Sequence, residues 1–102
     1  MINPIITNNL PQIKDICQKH HVKELYVFGS ATTDKFNEDS DVDFLYTMKE
    51  IPIETYADDF FEMQISFEKL LGRKVDLVPQ KYLRNRIFIE EVNNTKQLLY
   101  AA

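Results

Sequence analysis

Apolar positions recur along this chain with two periods, and the change from one to the other marks out the elements. Between residues 9 and 20, Leu10, Ile13, Ile16, Cys17 and His20 return every three or four positions, the one-sided pattern of a helix packed on a core. Asn9 suits the cap, and Pro11 is tolerated in the first turn. A strand follows over residues 24 to 28, where Leu25-Tyr26-Val27-Phe28 ends abruptly at Gly29-Ser30, with a short helix expected through Thr33. Lys35 to Ser40, KFNEDS, has turn chemistry, and a second strand runs from Val42 to Thr47. Beyond Ile51-Pro52, the residues Tyr56, Phe60, Met63, Phe67, Leu70 and Leu71 form one apolar face of a long helix over 54–71, with Gly72 as its stop. That stripe reads as core rather than a cofactor site. KVDLV, residues 74–78, makes a third strand closed by Pro79, and Leu83, Ile87, Phe88 and Val92 support a helix over 82–93. Gln97 to Tyr100 suits either a last strand or a last helical turn, and periodicity does not decide between them.

This order implies a small α/β sheet with helices packed on it. At 102 residues, a single domain spanning 1–102 accounts for the chain, and 44% hydrophobic residues build its core without staples. The one cysteine, Cys17, lies on an apolar helix face and reads as inert core. The His20-His21 pair ends the first helix, where cations are favoured, and that role fits better than ligation. No apolar run approaches the ~18 residues of a membrane span, and the N-terminus lacks the features of a secretory signal. A soluble cytoplasmic protein is expected, with no membrane partner.

The net charge of −4 argues against broad binding to nucleic acid. Its distribution is uneven: residues 34–68 hold eleven of the sixteen acids, and residues 69–86 hold six of the twelve bases. Most of this is solvated surface. A functional reading is a cationic rim beside an acidic site, suited to a polyphosphate or an acidic partner.

The acidic site has specific members. Asp41 and Asp43 flank Val42 at the start of a strand, so their side chains share a face. Two carboxylates that close repel unless a cation lies between them or one takes a proton. A hard divalent ion such as Mg2+ relieves that repulsion and brings substrate phosphates as further ligands. Gly29 allows close backbone approach to a phosphate, and Ser30 adds a hydroxyl donor. Asp76 sits between Val75 and Leu77 in an otherwise apolar strand, where a lone carboxylate is costly unless it has a partner. Placed beside Asp41 and Asp43, it completes a triad suited to nucleotidyl transfer. Two acids then hold the metal, and the third takes the proton of an attacking hydroxyl.

Gly29, Ser30, Asp41 and Asp43, in the spacing G-S-x(10)-D-x-D, followed by Asp76, resemble the polymerase-β-type nucleotidyltransferase superfamily. In size and layout the chain is similar to its minimal members, the MNT proteins. The resemblance implies a mixed sheet flanked by helices. It implies Asp41 and Asp43 as the metal-binding pair, Asp76 as the third acid, and Gly29-Ser30 as the triphosphate-binding turn. It further implies an antitoxin that transfers AMP from ATP to a tyrosine of a HEPN-domain toxin, in a hetero-oligomer with it. One departure stands out: many members carry an arginine after Gly-Ser, whereas this chain reads Ala31-Thr32-Thr33-Asp34. A bidentate phosphate contact is lost with it; Thr33, Lys35 or an arginine of residues 84–86 are the candidate substitutes. The alternative is a catalytically weak antitoxin that neutralises its toxin by contact.

Overall fold

The computed structural model describes residues 2–102. Four strands, β1 (Val22–Phe28), β2 (Val42–Met48), β3 (Val75–Pro79) and β4 (Gln97–Ala101), form one mixed sheet in the order β3-β2-β1-β4. β1 is antiparallel to both of its neighbours, whereas β2 and β3 are parallel. Parallel neighbours need a crossover, and the long helix α3 (Ile53–Leu71) supplies it. The other helices are α1 (Pro4–Thr7), α2 (Leu10–Lys19) and α4 (Arg86–Thr95).

Alternation along the strands gives the sheet two unlike faces. Leu25, Val27, Val42, Phe44, Val75 and Leu77 point into the main core, against Ile13 and Cys17 of α2 and Met63, Phe67 and Leu71 of α3. Phe44 and Phe67 meet edge to face with ring centres 4.9 Å apart. On the opposite face Phe28, Leu45 and Val92 make a smaller cluster with Tyr26, Val78, Leu83 and Phe88. That second face is covered mainly by α4, which leaves room beside it for the polar ends of β2 and β3. α3 stops at Gly72, whose φ of +67° is left-handed and whose N–H donates to the Glu68 carbonyl at 2.8 Å.

Several expectations shift on contact with the structure. α4 begins at Arg86 because Asn85 caps it, accepting the Phe88 N–H at 3.0 Å, while Gln80–Tyr82 forms a separate 3-10 turn. The ambiguous C-terminal run is a strand, laid antiparallel on β1 with Leu99 buried. α1 was not foreshadowed, since a single turn is too short for periodicity; Asn3 caps it at Ile5 N–H, and Ile6 is fully buried. The histidine pair ends α2 as expected, with His20 at its C-cap, and it has a further partner. His20 Nδ1 lies 3.0 Å from Asp59 Oδ1 and His21 Nδ1 lies 2.6 Å from Asp59 Oδ2, so both rings turn to α3. Among the described residues, no helix is long and apolar enough to cross a membrane.

Candidate active site

The parallel register of β2 and β3 sets Asp43 directly opposite Asp76. Both lie on the face that α4 partly covers, because their neighbours Phe44 and Leu77 are committed to the main core. The pairing continues one step before β2, where Val42 N–H donates to the Lys74 carbonyl at 3.0 Å. Asp41 precedes that point and is half-buried, like Asp43. Asp76 itself is exposed. The cost of desolvation expected for it therefore falls on Asp43, and no ion pair joins Asp76 to Arg73 or Lys74 among the described residues.

Burial raises the Asp43 carboxyl from the usual 3.8 to about 6, with Asp76, then Asp41, then Glu91 adding to the rise through their negative charge. Glu91, from α4, was not anticipated; it reaches the site only because α4 folds back over the sheet. Gly29 closes the other side. It has φ of +73°, a conformation strained for residues with a side chain, and a Cβ on it would sit 2.7 Å from Asp43 Oδ2 and push that carboxylate aside. Its N–H donates to Thr95 Oγ1 at 3.1 Å, and that hydroxyl donates in turn to the Glu91 carbonyl at 3.0 Å. The end of α4 thus fixes the turn that ends β1. Thr95 is a second residue that local sequence could not reveal.

The donor set fits a hard divalent cation. All its atoms are carboxylate oxygens, and their mutual repulsion is the kind a cation relieves. Among the described residues, the oxygens of Asp41, Asp43 and Asp76 do not gather within 4.8 Å of one another. Mg2+ commonly takes one or two carboxylates and completes its shell with substrate phosphates, so all three acids need not close on one point. The Ser30 hydroxyl has no partner among the described residues, whereas the Thr33 hydroxyl donates to the Ser30 carbonyl at 3.0 Å.

The cationic segment proves mixed in role. Arg73 is structural: its Nη1 donates to the carbonyls of Asn37 (3.0 Å) and Ser40 (2.9 Å), and its guanidinium covers the Phe36 ring at 4.4 Å. It clamps the loop that delivers Asp41. Lys74, Lys81, Arg84 and Arg86 remain exposed.

This arrangement matches a known family over most of the chain. Residues 11–102 fit the model described as polymerase beta, nucleotidyltransferase. The chain belongs to that family. Within it, the chain is 39% identical over 74 residues to protein adenylyltransferase MntA of Thermococcus cleftensis, covering 72% of each. A solved structure assigned as a minimal nucleotidyltransferase superposes with a TM-score of 0.77 at 27% identity, covering 95% of both chains. A Shewanella oneidensis complex of tri-AMPylated HEPN toxin with MNT antitoxin superposes at 0.59 and 18% identity, over 94% of this chain and 72% of the other, a likeness of fold. The protein is thus a nucleotidyltransferase enzyme of the minimal type, with the mixed sheet and flanking helices of that fold.

Proposed function

We propose that this nucleotidyltransferase transfers AMP from ATP to a tyrosine of a HEPN-domain toxin and so acts as its cytoplasmic antitoxin. The observation that carries the reading is the register that pairs Asp43 with Asp76, beside a glycine turn whose left-handed backbone lies against the Asp43 carboxylate. The 39% identical relative, a protein adenylyltransferase, and the AMPylated toxin of the Shewanella oneidensis complex support the choice of reaction and partner.

Asp41 and Asp43 would hold Mg2+, which supplies positive charge against the α-phosphate. Gly29 and Ser30 would steady the β- and γ-phosphates, with the Ser30 hydroxyl as donor. Asp76, exposed on the same face, would take the proton of the acceptor hydroxyl. The new bond joins the tyrosine oxygen to the α-phosphorus, the bond from that phosphorus to the bridging oxygen breaks, and pyrophosphate leaves with the electron pair.

Incubation with labelled ATP, Mg2+ and the product of the adjacent gene should label that product on tyrosine. Asp43→Ala should abolish the transfer, and labelling that persisted in the variant would refute the mechanism. Neutralisation by contact alone gains support from one feature, the absence of an arginine from the run Ala31-Thr32-Thr33-Asp34 that follows Ser30. In that case the Asp41→Ala/Asp43→Ala double variant would still protect cells from the toxin.

A further inference from the structure

A second cluster of potential ligands lies at the other end of β1. His20, at the end of α2, and Asp59 and Glu62, one helical turn apart on α3, bring one donor atom each to within 4.8 Å of the others. His20 Nδ1 is 3.0 Å from Asp59 Oδ1 and 3.7 Å from Glu62 Oε2. The far oxygen of Asp59 is held by His21 Nδ1 at 2.6 Å. The seven residues of β1, at about 3.3 Å each, put this cluster roughly 20 Å from the Gly29 turn.

We propose that His20, Asp59 and Glu62 form a binding site for a divalent transition-metal ion such as Zn2+, separate from the nucleotidyl-transfer site. Hydrogen bonding explains only part of the arrangement. The single Nδ1 of His20 serves Asp59, which leaves Glu62 as a second carboxylate, aimed at the same nitrogen but beyond hydrogen-bonding range. One imidazole and two carboxylates carry two negative charges, matching a dication. Ligands around tetrahedral zinc stand about 3.3 Å apart, as its bond lengths dictate, and the two measured donor separations bracket that value. The imidazole nitrogen favours zinc and its neighbours over Mg2+. Three protein donors leave one position for water.

Burial and backbone geometry pre-form the site. His20 and Asp59 are 4% and 6% exposed, so neither is free to move into bulk water. His21 has the one left-handed φ outside glycine among the described residues, +63°, and its carbonyl is pinned by Lys49 N–H at 2.9 Å. That conformation returns its ring to Asp59 Oδ2 and orients Oδ1 towards His20, the role that outer hydrogen bonds play around metal ligands. A bound ion would join α2 to α3.

The test uses the tag-free full chain carrying Asp41→Asn and Asp43→Asn, which remove the pair proposed to hold metal at the other site. Co2+ should bind at one equivalent and give the ligand-field absorption of a four-coordinate nitrogen–oxygen site. Zn2+ should displace it at micromolar concentration, and excess Mg2+ should not. The chain has only two histidines, so imidazole NMR signals report directly which ring is ligated. Glu62→Gln, on an exposed helix position, leaves the fold intact and should weaken binding at least tenfold. His21→Gln should weaken it by about 10- to 100-fold. Absence of micromolar Co2+ or Zn2+ uptake overturns the proposal, as does uptake that Glu62→Gln leaves unchanged.

Discussion

Replacing Asp43 with asparagine should stabilise the free protein while removing its activity. Asp43 stands opposite Asp76, against Gly29, and half-buried, and its carboxyl is raised from 3.8 to about 6 by burial first and by Asp76, Asp41 and Glu91 after it. A carboxyl raised on folding binds its proton more tightly in the native state than in the unfolded chain. Its favourable contribution is therefore complete below the unfolded value of 3.8 and is lost as pH rises through about 6. At about 1.4 kcal/mol per pH unit, the gap sets a ceiling of about 3 kcal/mol on the penalty at neutral pH. Water reaches the side chain and screens it, so about 1 kcal/mol is the working figure.

Asparagine keeps the shape and removes the charge. For a domain of this size, about 1 kcal/mol corresponds to a rise in Tm of about 4–8 °C. Thermal denaturation followed by circular dichroism, without divalent metal, should show that rise at neutral pH. Near pH 3, below the unfolded value of 3.8, the gain should all but vanish, because the wild-type carboxyl is then largely protonated in both states. Mg2+ with a non-hydrolysable ATP analogue should stabilise the wild type and have little effect on the variant. A variant no more stable than wild type at neutral pH, or one whose advantage persists unchanged in acid, would refute the electrostatic reading of the site.

Three further outcomes follow from the same geometry. Gly29→Ala combines a left-handed φ with a Cβ only 2.7 Å from Asp43 Oδ2, so transfer should fall by about 100-fold as Asp43 is displaced, and stability should drop by about 1–2 kcal/mol; steady-state kinetics and denaturant titration check the two. Thr95→Val removes the acceptor of Gly29 N–H and should cost about 1 kcal/mol, with KM for ATP rising more than kcat falls. Cys17 is fully buried and its thiol is pushed up to about 12 by desolvation, so a thiol reagent should modify it only at the rate of global unfolding, as read by stopped-flow in increasing denaturant.

What could be read from the sequence divides along the range of the interactions involved. The strand that carries Asp41 and Asp43 announces itself because alternation is a local property, and Gly29-Ser30 is legible because the chain must break there. The sequence sets Asp76 on a strand beside Asp41 and Asp43, and the register pairs it with Asp43, yet the burial cost that draws attention to it is absent: its neighbours Val75 and Leu77 are buried while Asp76 itself faces solvent. An acid between two apolar residues marks a strand with one wet face as readily as a buried charge. Arg73 misled in the opposite sense, counted with a charged rim although its guanidinium closes the loop before Asp41. Asp59 lay within the acidic run and carried no local mark distinguishing it from Asp58, yet it is the one that receives both histidines.

Glu91 and Thr95 were out of reach for a deeper reason. The hydrogen bond from Gly29 to Thr95 spans 66 positions, and it exists because α4 returns across the sheet with Val92 packed on Phe28 and Leu45. Once that apolar contact fixes the helix, Glu91 and Thr95, on either side of Val92 in sequence, are delivered to the site. The same few ångströms of packing therefore set the rigidity of the glycine turn and one of the charges felt by Asp43. A substitution such as Val92→Ala, which touches no substrate, should then loosen the turn as well as the helix.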